Sequence, residues 1–329
     1  MEQSKVKEQS GDQLDGGNDT PAIASPPNGR SGVTLSPQTG VKMSSCGCPG
    51  GNCTCGAGAD PYPNETGTTA YSYIYSPGRV DPRVPSLSVE KEIAQAIGRA
   101  GTQGLADREI LYEVLSKPEN RYLARRMCWV VTIGGVETYI LQPRDPADFS
   151  LLVEAINPQT DPTNHIDVVI GARGPIAPPE MCNGLMVPIV MFDQIYSFDR
   201  EAFIQAVPRP EKIPEQKEKE FRNAVRGVFD MIIQMADNAG ATDEHRALNY
   251  LALRYPEIYA TTAEHHMENF SLTAIDVNPS PLSGVRKIVE AIFSYTHRRT
   301  DFTEKFFVRV DVTEEFPFLV TKLSPYYDR

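Results

Sequence analysis

Two apolar runs separated by a proline-rich loop constrain the fold of this chain more than any other feature. The runs cover residues 166–171 and 185–198, and both are rich in the β-branched residues that are typical of buried strands. The loop between them holds three prolines and a closing Cys-Asn-Gly turn: Pro175, Pro178, Pro179 and residues 182–184. Because proline fixes φ and removes an amide donor, we expect this loop to hold one shape outside helix and sheet. Such a loop could carry a site, but its residues indicate no particular reaction.

Composition divides the chain into a tail and a folded body. Hydrophobic residues make up 40% of the 329 residues, yet few of the large ones lie among the first 76. Residues 1–76 are rich in Gly, Ser, Pro, Asn and Thr and cannot bury enough surface to offset the entropy of ordering. We therefore predict a disordered tail over 1–76 and a folded domain over 77–329, whose entry near 72–86 is punctuated by prolines.

Charge and hydropathy disfavour several classes of partner. The net charge is −11 and the pI is about 5.1, whereas nucleic acids and anionic membranes attract basic surfaces. No run approaches the ~18 apolar residues of a membrane span, and the N-terminus lacks the apolar core of a secretory signal. We therefore expect a soluble, cytoplasmic protein that binds neither nucleic acid nor membrane.

Four of the six cysteines form the sharpest local motif, two Cys-x-Cys pairs within the tail: Cys46, Cys48, Cys53 and Cys55. Four soft ligands this close could hold one tetrahedral ion such as zinc, because the intervening Pro-Gly-Gly-Asn can reverse the chain. Structural zinc sites, however, usually have Cys-x-x-Cys pairs spaced further apart. Three interpretations stay open: a flexible tail that binds soft metals adventitiously, a real metal or redox site, and a segment that peptide heterocyclases modify. A disulfide is disfavoured here if the protein is cytoplasmic.

The two remaining cysteines, Cys128 and Cys182, lie in apolar stretches and are predicted to be reduced core thiols. Cys182 follows the proline-rich loop, so it could alternatively be a nucleophile served by a distant histidine. A small buried side chain beside Met181 and Leu185 is the commoner outcome for such a residue.

The body alternates helix and strand signals that predict an α+β fold. Gly134-Gly135 between the apolar runs 128–133 and 136–141 is a strong hairpin signal. Helices are predicted over 88–99, 107–117, 118–127, 146–156 and 200–207, with Asp145 and Asp199 as N-caps of the last two. A polar, proline-rich linker over 208–214 then separates two halves that could form distinct lobes.

The second half begins with the most amphipathic helix of the chain. Its apolar residues recur on one helical face: Phe221, Val225, Val228, Phe229, Ile232, Ile233 and Ala236. Two more helices are predicted over 242–255 and 256–269, followed by four strands over 272–277, 286–297, 304–313 and 316–323. These strands predict a C-terminal antiparallel meander, in which Phe306, Val308, Val310 and Val312 share one face and Phe307, Arg309 and Asp311 the other.

Other candidate sites each have a structural explanation beside the functional one. Asp237, Asp243, Glu244 and His245 cluster at a turn between helices and could form a cation site or an acid–base site, although helix capping explains the acids as well. The adjacent His265 and His266 point to different helix faces, and His165 beside Asp167 suits a structural role. Arg298 and Arg299 at a hairpin tip could grip a peptide carboxylate or remain solvated. The sequence contains no Walker loop, GxGxxG, GxSxG or HExxH motif.

From about residue 76 to 329 the chain resembles the C-terminal domain of the cyanobactin maturation proteins PatG and PatA. The residues that carry the resemblance form five long, non-repetitive segments: SPGRVDPRVPSLSVEKEIAQAIGR (76–99), NRYLARRMCWVVTIGGVETYILQPRDPADF (120–149), VVIGARGPIAPPEMCNGLMVPIVMFDQIYSF (168–198), MADNAGATDEHRALNYLALRYPEIY (235–259) and FFVRVDVTEEFPFLVTKLSPYYDR (306–329).

The resemblance implies a role in making ribosomally encoded, modified peptides. In multidomain relatives this domain accompanies a subtilisin-like protease and has no settled reaction of its own. The present chain lacks the sequence contexts of a protease triad, so neither cleavage nor macrocyclisation carries over to it. We therefore expect an accessory, non-catalytic protein, monomeric or homodimeric, that binds a precursor peptide or a maturation enzyme through the proline-rich loop and sheet edges. The alternatives are a peptide-modifying enzyme with Cys182 or the 237–245 turn as its active groups, and a tail that acts as metal site or substrate segment.

Overall fold

The computed structural model describes residues 72–100, 107–158, 163–235 and 237–327. Of the tail predicted to be disordered over 1–76, residues 1–71, which include the four tail cysteines, lie outside the described residues. Residues 72–76 are ordered as the start of strand β1, so the folded body begins earlier than the predicted boundary at 77. Nine strands occur in the described part of the chain: β1 (Ser72–Arg83), β2 (Cys128–Ile133), β3 (Val136–Pro143), β4 (His165–Ile176), β5 (Pro188–Asp199), β6 (Phe270–Pro279), β7 (Ile288–His297), β8 (Thr303–Asp311) and β9 (Phe318–Pro325). Eight α-helices accompany them: α1 (Leu87–Ala100), α2 (Asp107–Leu115), α3 (Arg121–Arg126), α4 (Phe149–Ala155), α5 (Arg200–Ala206), α6 (Glu218–Ile233), α7 (Asp243–Arg254) and α8 (Glu257–Met267). The α+β prediction is confirmed.

The first five strands form a closed barrel in the order β1-β2-β3-β5-β4. All neighbours are antiparallel except β3 and β5, which run parallel. All five strands contribute to one apolar cluster, so this cluster fills the barrel interior, and α1–α4 cover it. The strand residues of the cluster are Ile74, Val80, Trp129, Val131, Tyr139, Leu141, Val169, Val190, Phe192 and Ile195.

Two of the prolines expected to mark an irregular entry to the fold lie instead within strand β1. Its first half, Ser72 to Gly78, pairs with β4, and its second half, from Arg79, pairs with β2. Pro77 and Pro82 therefore each lie where the strand has a neighbour on one side only. A proline is tolerated at such a position because its missing donor can face the unpaired side.

Local signals in the sequence set several boundaries as predicted. Gly134 and Gly135 have φ of 57° and 84° and form the β2–β3 hairpin. The side chains of Asp145, Asp199 and Thr242 accept hydrogen bonds from backbone amides at the starts of the helical segments that follow. These caps satisfy amides that a helix cannot satisfy itself.

The last four strands form an antiparallel meander in the order β6-β7-β8-β9, as predicted. Helices α6–α8 share one core cluster with one face of this sheet, the face that carries Val308 and Val310. The predicted apolar face of α6 lies in the same cluster, although Ala236 is outside the described residues. Val168 and Ile170 of the barrel also belong to this cluster, so the core continues across the 208–214 linker. The division into two lobes stays a prediction.

The turn before α7 joins the barrel to the sheet half. Gly240 has a φ of +67°, and a Cβ there would lie 2.4 Å from the Tyr75 carbonyl oxygen. The amide of Tyr75 donates to the Gly240 carbonyl at 2.9 Å, and the Asn249 side chain donates to the Tyr75 carbonyl at 2.8 Å. Only glycine permits this approach of two backbones in that conformation.

The proline-rich loop spans 177–187, because β4 continues through Pro175 to Ile176. Cys128 at the start of β2 and Cys182 in the loop form a disulfide, with their Cα atoms 5.7 Å apart. The prediction of two reduced core thiols is therefore wrong. The apolar surroundings were identified correctly, but burial does not separate a thiol from a disulfide, and the barrel brings together two residues 54 positions apart. None of the described helices is long and apolar enough to cross a membrane.

Candidate functional site

A groove of about 980 Å³ runs along the rim of the barrel, and we call it the rim groove. One wall is the second half of β1 with the tip of the β2–β3 hairpin. The other consists of the last residue of α6 and residues that follow it, 233–235 and 237–239. Its charged or titratable lining residues are Arg79, Asp81, His165 and Asp237. Val136 at the hairpin lines the groove and is 65% exposed.

Asp167 organises the barrel beside this groove. Its carboxylate is fully buried and accepts from the Val80 amide at 2.7 Å and from the Ser197 hydroxyl at 2.5 Å, while His165 Nε2 lies 2.8 Å from it. Ser197 and His165 thus both contact the same carboxylate oxygen. In a nucleophilic triad the histidine lies between the serine and the acid. This arrangement is instead a carboxylate that ties β1, β4 and β5 together.

A second ion cluster fixes the second half of β1. Arg108 of α2 bonds to the Asp81 carboxylate and donates to the carbonyls of Val80 (3.0 Å) and Ala155 (2.9 Å). Arg79 lies 3.2 Å from the same Asp81 carboxylate. Burial lowers the pKa of Arg108, and the Asp81 charge opposes that effect. The cations and acids on this side of the rim groove therefore already compensate one another.

The four residues predicted to cluster at the 237–245 turn are brought together only in part. Asp237, with φ of +60°, lines the rim groove, and its charge and that of Glu244 act on His245. Burial lowers the pKa of His245 despite these acids. Asp243 is instead directed to Arg246 (3.5 Å) and Lys287 (3.3 Å). Within the described residues no group of three or more metal-ligating side chains is assembled.

Cys182 is fully buried and bonded to Cys128, so no thiol is available at this position. The disulfide belongs to a small apolar cluster with Val130, Ile140 and Ala177 on the outside of the barrel. It holds the proline-rich loop against β2 and β3. The nucleophile hypothesis for Cys182 is therefore wrong, because the disulfide occupies its sulfur.

The paired histidines and arginines occupy neighbouring surfaces of the sheet half. His265 is buried, stacks on Tyr295 and lies 3.3 Å from Glu304, whereas His266 lines a groove beside β6. Arg298 donates from Nε to the Ser271 hydroxyl at 2.8 Å. Arg299 is exposed at the β7–β8 tip.

Sequence reasoning missed a titrating cluster where the β8–β9 turn meets the barrel. Glu315 lies against Asp193 of β5, and burial with the Asp193 carboxyl raises the pKa of Glu315 to about 7. Arg144 lies 2.7 Å from Asp193 and 3.9 Å from Glu315. Arg246 donates to the carbonyls of Val312 and Glu315 and holds the turn. No local signal could have found these partners, because they come from four separate parts of the chain.

Two family models and one solved structure are similar to this chain. The family model described as "PatG Domain" matches residues 73–177, and the one described as "PatG C-terminal" matches residues 215–326. The chain also resembles a solved structure described as "PatG Domain of Unknown Function", with a TM-score of 0.63 and 17% identity over 78% of this chain and 98% of that one. At that identity the likeness shows the fold alone. No curated protein matches the chain.

Proposed function

Because this chain belongs to the PatG-like domain proteins, we propose that it acts in cyanobactin-type biosynthesis as an accessory protein that binds a precursor peptide or a maturation enzyme. The observation that carries the proposal beyond the family is the rim groove, which is open, about 980 Å³ in volume and lined in large part by residues of β1 and the β2–β3 hairpin. Peptides bind such clefts through backbone hydrogen bonds and a few side-chain pockets.

The state of the polar groups favours binding over chemistry. Asp167 is saturated by three partners, Asp81 is paired with two arginines, and Cys182 is in a disulfide. A catalytic group needs an available lone pair or proton within reach of a substrate. A cytoplasmic location and a soluble monomer or homodimer remain part of the proposal.

The rival proposal is a peptide-modifying enzyme that uses His245 in the 237–245 turn. One observation favours it: burial lowers the pKa of His245, which keeps the imidazole neutral near pH 7, as a general base requires. Against it, Asp237 of that turn reaches the rim groove, but His245 is not among the groove's lining residues.

Mass spectrometry of the peptide products, made with and without this gene, separates the two proposals. An accessory protein predicts the same products at lower yield when the gene is absent. Loss of one discrete mass change, reproduced by His245→Ala in a folded protein, would establish the enzyme and overturn the accessory role.

Binding of the precursor peptide to the purified full chain tests the groove. Val136 borders the rim groove and is 65% exposed, so Val136→Asp should weaken binding severalfold without unfolding the protein. Val285 is fully exposed in the β6–β7 loop, and Val285→Asp is the matched control. Equal affinities for both variants would remove the rim groove from the proposal.

A further inference from the structure

Strand β6 has the one outer edge that the described residues leave without a partner. The barrel is closed, so edges remain only in the second sheet, at β9 and β6. Tyr250 of α7 and Tyr255, which follows α7, cap the β9 edge. The Leu323 amide donates to the Tyr255 hydroxyl at 2.9 Å, and the Tyr250 hydroxyl bonds to the backbone of Leu319. Strand β6 pairs only with β7. An open edge is a row of unpaired backbone donors and acceptors, which favours addition of another strand.

The phase of the β6–β7 ladder identifies which β6 residues turn their backbone outward. The Arg298 amide donates to the Asn269 carbonyl at 2.9 Å, and the Ser280 amide donates to the Ile288 carbonyl at 2.8 Å. Hydrogen-bonded and non-bonded pairs alternate in an antiparallel ladder, so the backbones of Ile275 and Val277 face away from β7. Pro279 falls in the same outward series, where its missing donor costs the ladder nothing.

A groove of about 350 Å³ runs beside this edge, and we call it the edge groove. Apolar atoms of Ala224, Met231 and Leu272 line it, and Met231 is 43% exposed. Gly227 lies in the middle of α6, and a Cβ at this position would meet nothing within 4 Å. Glycine inside a helix costs roughly 0.5–1 kcal/mol relative to alanine, and no packing contact requires it here. Its effect is to keep the groove open.

One end of the edge groove is basic although the chain carries a net charge of −11. Arg298 bonds to the Ser271 hydroxyl there, and Arg299 is exposed at the same hairpin tip. Arg298 and Lys217 act electrostatically on His266, which lines the groove, with Glu220 as the opposing charge. This end therefore suits an acidic group of a partner.

We propose that β6 and the edge groove bind an extended peptide by strand addition, with an apolar side chain in the groove and an acidic residue beside Arg298. The peptide backbone supplies the missing strand at the outward amides and carbonyls of Ile275 and Val277. The inference rests on the proposed function, because it assigns to peptide binding a second place, separate from the rim groove, and a recognition chemistry.

The probe is a fluorescein-labelled synthetic peptide, Glu-Leu-Thr-Val-Thr-Leu-Thr, titrated against the full chain by fluorescence anisotropy. Two further peptides carry N-methyl groups on alternate residues, one set for each edge of the strand. Strand addition predicts at least tenfold weaker binding for one methylated peptide and little change for the other. Hydrogen exchange should show that the peptide protects the amides of Ile275 and Val277.

Two protein variants locate the site. Gly227→Trp fills the edge groove and should weaken binding of the probe at least tenfold. Gly98→Trp makes the same change at an exposed, uncrowded glycine of α1 and should leave the affinity for the probe unchanged. Arg298→Ala should weaken binding of the probe severalfold, but it should not change binding of a peptide in which glutamine replaces the probe's glutamate. Thermal melts establish that each variant is folded.

Several results would overturn the inference. One is undetectable binding of the probe, and another is equal affinity of the probe for Gly227→Trp and Gly98→Trp. Equal binding of the unmethylated peptide and both methylated peptides would also overturn it, as would a dimer in light scattering whose β6 amides are already protected.

The precursor peptide separates this inference from the proposed function. If Val136→Asp weakens binding of the precursor and Gly227→Trp does not, the proposed function stands and only the β6 site is removed. A precursor that binds nowhere would remove both.

Discussion

At the scale of single residues, Asp167 shows how a buried charge can be structural. Its carboxylate meets the Val80 amide, the Ser197 hydroxyl and the His165 ring, which come from three strands of the barrel. Asp167→Asn keeps the shape but turns an NH₂ group toward one of these donors. We expect a loss of about 2–4 kcal/mol in the free energy of unfolding, because a buried donor is then left unpaired.

Urea titration of Asp167→Asn against wild type measures this cost. The exposed Asp301→Asn, in the β7–β8 loop, serves as the control and should change stability little. A wild-type midpoint in Asp167→Asn, with lost pathway activity, would contradict the structural role and reopen Asp167 as a functional group.

Glu315 predicts a pH dependence of stability. Burial and Asp193 raise its pKa to about 7, well above the value near 4.5 of an exposed glutamate. A group with a raised pKa in the folded state contributes stability that is fully present below the unfolded pKa and is lost as pH rises through the folded pKa. Wild type should therefore lose stability between about pH 4.5 and 7, by at most about 3 kcal/mol.

Glu315→Gln should remove most of this pH dependence, because the amide cannot ionise. Unfolding by urea at pH 5 and pH 8 checks the prediction, with the neighbouring exposed Glu314→Gln as the matched control. An unchanged loss of stability in Glu315→Gln would assign the titration to another group.

At the scale of elements, the disulfide determines how the proline-rich loop is held. Cys128 and Cys182 close a covalent loop with a separation of 54 residues and join the start of β2 to the loop that follows β4. Non-reducing peptide mapping, after thiols are alkylated at lysis, should find these two cysteines cross-linked. Two alkylated residues would mean that the thiols are reduced in the cell and would contradict the disulfide. A cross-link found there would count against the cytoplasmic part of the proposal, because disulfides are rare in that compartment.

Removing the cross-link should destabilise the fold and free the loop. The double variant Cys128→Ala with Cys182→Ala should lose about 2–4 kcal/mol and become sensitive to proteolysis within 177–187. Local patterns predicted the elements around this loop well, because hairpin turns and helix caps act within a few residues. They could not predict the disulfide, since it depends on how β2 and β4 assemble in the barrel.

At the scale of the whole molecule, Gly240 controls how the barrel and the sheet half are joined. An alanine at 240 would combine a φ of +67° with a Cβ only 2.4 Å from the Tyr75 oxygen. We expect Gly240→Ala to cost at least 2 kcal/mol in thermal or urea unfolding, because both strain and a backbone clash must be relieved. Gly98→Ala, where a Cβ meets nothing within 4 Å, should be neutral or slightly stabilising. Equal effects of the two changes would contradict this junction.

The tail cysteines call for a comparison of the full chain with a version that starts at Ser72, which keeps strand β1 whole. The favoured interpretation is a tail that binds soft metals only adventitiously, so zinc retained after dialysis against a weak chelator should be equal in the two proteins. Stoichiometric zinc in the full chain alone would establish a metal site at Cys46, Cys48, Cys53 and Cys55.

The sequence by itself determined the α+β class, the β2–β3 hairpin, the capped helices, the meander and the family resemblance. These follow from local rules of periodicity, turn chemistry and capping, or from long matching segments. Only the tertiary structure decided the barrel closure by β1, the Cys128–Cys182 pairing, the Asp193–Glu315 contact and the open edge of β6. Each of these features depends on residues far apart in the chain. The strand pairing, the bond between the two sulfurs and the contact between the two carboxyl groups form only when the elements pack together.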